Sequence, residues 1–494
     1  MSVIVVGSGP TGLMLAGDLA EAGVDVTILE RRAEESNLTR AFAVHARSLE
    51  LLEVRGIADE LVEQGFTVPE LRASFGTRGF SVDISRLDSR YPYVLMVQQA
   101  RTEILLRRRV ERLGVPIVRG AEVIGLTQDG DGVTLTVRTA EGEHTERADH
   151  VVGTDGAHSA VRGLIGVPFT GRRYQTHIMI ADVRLDNDLP NAVNPFIAAD
   201  GFALLPPFGD GWFRAVVWDR TREEAPLTEP VTEGELNASL HRLTRGRVRA
   251  ADMRWSTRFL SERRQAKHYR VGRVLLAGDA AHVHSPIGGM GMNTGLQDAA
   301  NLGWKLAAVE RGWAPSWLLD SYEAERHPVG RATLRLTDTV TRMVVASGPV
   351  RALRPYVVPR LVANERVSRA VLGMMSGIGF SYDLPDTLVG STGAGERVPD
   401  LELRVDGAPT RLFALMDAVR FTLVDTSPNG AAATAAEPWG ERVHAVRAEG
   451  ALPHGADALL VRPDGHTAWS GRASGSDDLT RVLTEWAGTA PAFR

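Results

Sequence analysis

The chain has no cysteine among its 494 residues. That excludes disulfides, thiolate metal sites, iron–sulfur clusters and a cysteine nucleophile together. Redox chemistry, if present, must belong to a bound cofactor, and no metal site is expected. Lysine is nearly absent too, standing only at Lys267 and Lys305 among 56 basic residues. No apolar run reaches the roughly 18 residues that suggest a membrane-spanning helix. The N-terminus has no basic segment ahead of its apolar stretch, and that stretch ends in a Gly-Pro turn. It reads as a strand rather than a signal peptide, so a cytoplasmic protein is expected. The net charge of −5 mixes both signs, so neither nucleic acid nor an anionic membrane is an expected partner.

Glycine, by contrast, is abundant and patterned. Val3-Ile4-Val5-Val6 is a short apolar run of the kind a buried parallel strand shows. It leads into Gly7-Ser8-Gly9-Pro10-Thr11-Gly12, then an apolar helix to Gly23, then Val26-Thr27-Ile28-Leu29-Glu30. In this context Gly7 permits the tight turn, Gly9 lets a pyrophosphate approach, and Gly12 lets helix and strand pack closely. The helix opening near Thr11 aims its free N–H groups at phosphate. Glu30, with Arg31 beside it, is placed to meet an adenosine ribose. This motif does not separate NAD from FAD. A second one does: Arg273-Val274-Leu275-Leu276-Ala277-Gly278-Asp279, followed by Pro286, Gly288, Gly289, Gly291 and Asn293. Asp279, after a buried strand, suits the hydroxyls of a ribityl chain. The glycines at 288, 289 and 291 leave room for a flat ring. A helix from about Asn293 points its positive end at the flavin pyrimidine edge and favours the anionic reduced flavin.

The length calls for two or three domains. Residues 1–175 read as the first part of an FAD-binding domain, with 71–100 joining the substrate domain. In it, Ser48–Glu63 has the spacing of one amphipathic helix, and 121–127 and 133–138 form a hairpin. From 176 to 270 the texture is β-rich, with strands at His177–Leu185, Phe202–Leu205 and Trp212–Asp219. The dinucleotide pattern resumes over 271–395, with connecting helices, and 396–494 is a separate small α/β domain.

The strings 9–17, His45-Ala46-Arg47-Ser48-Leu49-Glu50, Val152-Gly153-x-Asp155-Gly156, 273–282, 297–306 and Val461-Arg462-Pro463-Asp464-Gly465 carry a specific likeness. On them the chain resembles the class A, single-component FAD-dependent aromatic hydroxylases, nearest the aromatic-polyketide and rifampicin monooxygenase branch of the phenol hydroxylase-like family. The resemblance implies an α/β fold: a Rossmann-like FAD-binding domain of the glutathione reductase type, an inserted β-sheet substrate domain and a C-terminal thioredoxin-like domain. Without cysteine that last domain would be structural. The resemblance also places Arg40, Gln99 and Val123 at FAD. Asp155 and Gly156 would serve FAD and the nicotinamide donor, and Pro286, Gly289, Met292 and Asn293 would line the isoalloxazine. The chain departs from common family patterns at Ala157, Met290 and Phe42.

The implied reaction uses FAD, O₂ and NADPH or NADH to put one oxygen atom into a phenolic or quinone polycycle, through a C4a-hydroperoxyflavin. The chemistry belongs to the flavin, so no acid–base dyad is required. His45, His282 and His284 stand near the flavin motifs as candidate proton carriers. Arg47 reads equally as a flavin contact or as a helix-face ion pair. Candidate pocket walls are Met179, Phe196, Phe202, Phe208, Trp212, Phe213 and Trp218, with Arg214 among them as a partner for a phenolate. An antibiotic-inactivating oxygenase, and a flavin oxidoreductase or drug-binding flavoprotein without oxygen insertion, are the alternatives. A monomer or homodimer is expected.

Overall fold

A six-stranded sheet forms the centre of the molecule. Its order is Arg270–Val271, Val274–Leu276, His150–Gly153, Ser2–Val6, Asp25–Glu30 and Ile117–Arg119, parallel apart from the first short strand. The computed structural model describes residues 2–35, 41–75, 78–187, 189–190, 192–285, 288–346, 348–384, 392–473 and 476–490. The central strands are apolar on both faces because both are covered, one by helices and the other by the three-stranded sheet of Glu122–Gln128, Val133–Thr139 and Gly142–Ala148, whose Val123, Val133, Leu135 and Val137 join the same core. Helix Pro10–Glu21 lies between helices Gln99–Arg112 and Met290–Glu310. Glycine sets the second contact: a Cβ on Gly303 would come within 2.9 Å of the Asp18 Cβ. Asp18 is wholly buried on that helix and accepts from Arg55 (2.8 and 2.5 Å) and Arg109 (2.9 Å).

The span expected as one helix at Ser48–Glu63 is two, Ala46–Glu53 and Ala58–Glu63. Gly56 between them sits at φ +68°, a left-handed turn that ends a helix and that apolar spacing does not reveal. The hairpin Glu122–Gln128 with Val133–Thr139 is extended by a third strand, Gly142–Ala148.

An eight-stranded sheet stands beside this unit. Its order is His282–Val283, Ala250–Ala266, Phe169–Leu185, Phe213–Asp219, Gly201–Leu204, Pro195–Ile197, Glu70–Phe75 and Arg78–Asp83. The sequence boundary at 175/176 falls inside the seventeen-residue strand Phe169–Leu185, whose register shifts between Arg173 and His177. A bulged strand of that length runs past a break in composition without ending. One face of this sheet packs on helix Glu233–Thr244 through Met179, Ala181, Phe213, Ala215 and Val217. The other face, with Ile178, Ile180, Phe202, Val216 and Trp218, meets Phe42, Val94 and Met96 of the FAD-binding part.

The C-terminal segment builds a four-stranded sheet, Val443–Arg447, Phe421–Asp425, Ala458–Val461 and Thr467–Gly471. Helices Ala431–Ala436 and Ser476–Ala487 pack with it. A buried ionic cluster attaches this segment to the rest. Arg462 donates to Glu325 (2.8 and 2.7 Å) and to Asp464, and Lys305 reaches Glu325 at 2.7 Å. Arg397 reaches Glu50 at 2.9 Å and Arg411 reaches Glu53 at 2.7 Å. No described helix is long and apolar enough to cross a membrane.

Candidate functional site

The two glycine turns meet. A Cβ on Gly278, itself at φ +62°, would come within 2.6 Å of Thr11 Oγ1. A Cβ on Gly295 would collide with the same hydroxyl. Helices Pro10–Glu21 and Met290–Glu310 therefore start side by side. Neither has a side-chain cap or an acidic residue in its first turn. Their leading N–H groups and positive ends point into one cleft, which suits an anionic ligand. The second helix begins at Met290 rather than Asn293, with Gly289 in the left-handed conformation as its N-cap.

The glycines divide by what surrounds them. A Cβ on Gly12 would overlap the Gly7 carbonyl, and one on Gly7 would press on the Thr154 carbonyl at 2.7 Å. Both are required by packing. Thr154 completes that knot, its hydroxyl donating to the Val6 and Gly7 carbonyls at 2.9 and 3.0 Å. Gly9 and Gly156 differ: among the described residues, a Cβ on either meets no atom within 4 Å. Space is kept open in front of them, where a dinucleotide would lie. Asp279 stands between the helix starts, its Oδ1 3.7 Å from where a Cβ on Gly291 would be. These residues fit FAD: phosphate at the first turn, ribityl hydroxyls at Asp279, the flat ring beside Gly288 and Gly289.

Glu30 ends its strand with all its acceptor positions engaged. Oε2 accepts from Ser8 N (2.9 Å) and Ser8 Oγ (2.8 Å), and Oε1 from Arg32 N (3.0 Å) and Arg32 Nε (3.1 Å). Burial alone would raise its pKa, but the Arg32 and Ser8 hydrogen bonds outweigh it and hold the carboxyl down to about 2. A ribose hydroxyl would take the place of the Ser8 hydroxyl or the Arg32 guanidinium on Glu30. Arg31 beside it is exposed. Val123 is buried on strand Glu122–Gln128, which starts beside the end of Glu30's strand, where Ala121 N donates to the Glu30 carbonyl. Ser159 caps the short helix Ala160–Leu164, accepting from Arg162 N at 2.9 Å, and Asp155 backs that cap, accepting from Ser159 Oγ at 2.5 Å and Val161 N at 3.1 Å. Burial raises its pKa against those bonds. Arg40 and Pro286 lie outside the described residues.

Several expected contacts serve the protein instead. The Asn293 side chain accepts from His45 N (2.8 Å) and donates to the Ala43 and Gly289 carbonyls (2.9 and 2.7 Å). It staples the 43–45 segment to the flavin turn and has no donor left over for a ring. His45 Nε2 donates to the Gly288 carbonyl at 2.9 Å, and burial lowers its pKa. It braces the turn rather than carrying protons. Gln99 accepts from Ala41 N (3.0 Å) and donates to Glu103 (2.7 Å). Arg47 resolves to its ion-pair reading: it is buried, pairs with Glu50 at 2.9 Å and donates to the Asp464 carbonyl. Its guanidinium faces the C-terminal segment, 417 residues on in sequence. Met292 is half-buried against the central core.

The pocket walls divide by strand alternation. Phe202, Phe208, Trp212 and Trp218 are on the face that meets Phe42 and Met96. Met179, Phe196 and Phe213 are on the opposite face, against helix Glu233–Thr244, and are ordinary core. Arg214 is on the inner face but donates to Asp182 at 2.6 Å, surrounded by Phe42, Phe208 and Trp255 at 5.2–6.0 Å. An Arg214 already paired with a carboxylate in an aromatic cage is not a counter-ion waiting for phenolate. Sequence reasoning missed Trp255 on this face. Its indole N–H is buried with no hydrogen-bond partner among the described residues, an arrangement that costs about 1–3 kcal/mol and that a ligand oxygen would relieve.

Comparisons agree with this geometry. A model of the FAD binding domain matches residues 1–337, and one of the aromatic-ring hydroxylase C-terminal region matches 391–490. The chain is 38% identical to the 12-dehydrotetracycline 5-monooxygenase/anhydrotetracycline 6-monooxygenase of Streptomyces rimosus, covering 98% of each. It is also 38% identical to a rifampicin monooxygenase of Streptomyces venezuelae, covering 99% of each. The solved structure of the anhydrotetracycline hydroxylase OxyS from Streptomyces rimosus superposes with a TM-score of 0.88 at 36% identity, covering 99% of this chain and 100% of that one.

Proposed function

The chain belongs to the FAD-dependent aromatic-ring hydroxylases, and from that premise we propose that it oxygenates a phenolic or quinone polycycle of the aromatic-polyketide or antibiotic class, with NADPH or NADH as electron donor. The observation that carries this is the convergence of the Gly278-Asp279 turn on the Gly7–Gly12 turn, which gives one cleft a clamp at each end. FAD, when bound, supplies the oxidation–reduction chemistry and the activation of O₂.

The protein's own work is binding, orientation and exclusion of water. Gly9 and the helix starts would receive a pyrophosphate, and Asp279 would hold a ribityl chain. Asn293 and His45 fix the turn that carries Gly288 and Gly289, which would give the flat ring a braced backbone. The inner sheet face, with Phe202, Phe208, Trp212 and Trp218, gives a flat substrate apolar walls. The Trp255 N–H offers one donor to a ring oxygen. The relatives act on tetracycline-pathway intermediates and on rifampicin, and these two ligand classes frame the substrate search. The four-stranded C-terminal layer is read as the thioredoxin-like domain, acting by holding helix Ala46–Glu53 in place.

The test is mass spectrometry of products from hydroxyanthraquinones, anhydrotetracyclines and ansamycins, with NADPH and labelled O₂. The expected result is gain of one labelled oxygen atom with substrate-stimulated NADPH consumption. A purified protein that stays colourless and takes up no FAD overturns the proposal. NADPH consumption that never labels a product favours the oxidoreductase alternative. An ansamycin accepted in preference to the tetracyclic compounds favours the antibiotic-inactivating one.

A further inference from the structure

A small cavity lies where the C-terminal segment meets the nucleotide-binding part. Arg47, Gln297, Arg326, Tyr382, Asp464 and His466 supply its polar wall, and it has room for one water-sized particle. Gln297 is only 8% exposed, and its side-chain amide bonds to no described residue. Gly377, at φ +81°, closes on that amide: a Cβ there would come within 2.5 Å of Gln297 Nε2. Tyr382 accepts from Arg326 Nη1 at 3.2 Å, and its own hydroxyl proton has no acceptor among the described residues. His466 donates from Nδ1 to the Asp464 carbonyl at 3.2 Å and stacks on Tyr382 at 4.2 Å. Burial holds its pKa down to about 4, so it is neutral at pH 7.

The charges around this cavity do not balance. Arg47 and Arg397 share Glu50. Arg462 and Lys305 share Glu325, and Arg462 also holds Asp464. Arg326 faces Asp298. Five cations therefore meet four carboxylates, and none of these side chains is more than 6% exposed. Asn301, which donates to Glu325 at 2.7 Å and Asp464 at 2.9 Å, adds no charge. His282, which donates to Asp298 at 2.5 Å, can only add to the positive side. Burial opposes ionisation of the carboxylates, but the cations outweigh it. Arg397 holds Glu50 below its usual pKa, His282 and Arg326 hold Asp298, and Arg462 holds Glu325 and Asp464. Burial lowers the Lys305 pKa only to about 8, so its charge persists at pH 7. One interior positive charge is left over, a costly state unless a counter-charge is supplied.

We propose that the cavity is a buried halide site, taking one chloride ion that supplies the missing negative charge. The uncommitted groups on the wall suit it: an amide N–H and a phenol O–H, beside two guanidinium groups, all meet an anion with hydrogen. Asp464, the one carboxylate on the wall, is already engaged by Arg462 (3.0 and 2.5 Å) and Asn301 (2.9 Å). A water would satisfy the donors and leave the charge. Sulfate and phosphate exceed the space. Arg47 stands on helix Ala46–Glu53, Gln297 on helix Met290–Glu310 and His466 in the C-terminal segment. A chloride among them joins three separate parts of the chain, and the site is independent of what the chain oxygenates.

Crystals of the holoenzyme grown with sodium bromide are expected to show an anomalous-scattering peak in this cavity, in contact with the Gln297 amide. A water there with no anomalous signal overturns the site. In solution, the holoenzyme is melted at pH 7 and fixed ionic strength, with chloride replacing gluconate. Tm is expected to rise about 1–2 °C for each tenfold increase in chloride above the dissociation constant. A bromide peak without that rise marks binding at crystal concentration only and overturns the proposal. Q297L removes the amide and is expected to lose both the peak and the rise. Q297E puts a permanent carboxylate in the cavity. It is expected to melt at least as high as the chloride-saturated wild type and to ignore chloride, and it decides the matter should Q297L fail to fold. A Q297E protein that responds to chloride as the wild type does overturns the proposal. FAD absorbance reports an intact nucleotide cleft in every sample.

Discussion

Thr11 Oγ1 occupies the space where a side chain on Gly278 would begin, within 2.6 Å of that Cβ position. The two residues are 267 positions apart in the sequence, and their contact joins the two halves of the nucleotide cleft. The glycines around it differ in consequence. Gly12→Ala forces a methyl onto the Gly7 carbonyl and is expected to cost the apoprotein about 1–3 kcal/mol. Gly9→Ala meets no atom of the described residues, so the apoprotein keeps its stability to within about 0.5 kcal/mol, while FAD affinity falls at least about tenfold. Thermal melts of the apoprotein and fluorescence titration with FAD check both; a Gly9→Ala protein that binds FAD normally refutes the assignment of that space.

Asp182→Asn is expected to cost about 3–5 kcal/mol, because it leaves the buried Arg214 guanidinium without its carboxylate. Denaturant unfolding measures this. If Asp182→Asn is instead as stable as the wild type and only substrate affinity changes, Arg214 is a ligand group after all.

Trp255→Phe keeps a ring and removes the unpartnered N–H. The apoprotein is expected to be at least as stable, since a buried unsatisfied donor is gone. KM for a hydroxyanthraquinone should rise roughly fivefold to a hundredfold, the equivalent of about 1–3 kcal/mol. An equal rise for the deoxygenated hydrocarbon would show that the loss is one of shape, not of a hydrogen bond.

Arg462→Met leaves Glu325 and Asp464 facing each other in the interior and is expected to cost about 3–5 kcal/mol. Limited proteolysis should then cut ahead of the C-terminal sheet. Lys305→Met is milder. Burial lowers the Lys305 pKa to about 8 against the pull of Glu325, so the folded state gives up that proton more easily than the unfolded chain does. Removing the charge removes a cost, while Arg462 still faces Glu325. Melting temperatures of the two variants, side by side, test the order.

Acid acts on the same cluster. Burial lowers the His466 pKa to about 4 despite Asp464. Between pH 6.5 and 4 the unfolded chain takes up a proton that the folded chain refuses, so stability falls as pH falls through that window. Glu30 has the opposite origin and a lower window: its folded pKa of about 2 stabilises the fold above pH 4.5, and that contribution is lost as pH drops toward 2. Unfolding curves of His466→Gln and Glu30→Gln should each flatten in their own window only.

What the sequence disclosed, it disclosed through local backbone demands. Gly7, Gly12 and Gly278 announce a turn or a close approach whatever lies around them, so the nucleotide cleft was legible at once. Pocket walls were not. Alternation says that Met179 and Ile180 face opposite ways, but not which face looks inward; that is set by what packs on each side. Arg47 and Arg214 had partners fixed by tertiary structure, the Asp464 carbonyl and Asp182. Gln297 and His466 wall one cavity from two separate segments, and no local pattern announces that.

The near absence of lysine has a practical side. Lys305 is buried in the ionic cluster and Lys267 is exposed just past the end of strand Ala250–Ala266. Amine-reactive dyes or resins therefore have one side chain to find, and a cysteine introduced anywhere would be the sole thiol. The protein comes ready for two-colour attachment at chosen points, with nothing to remove first.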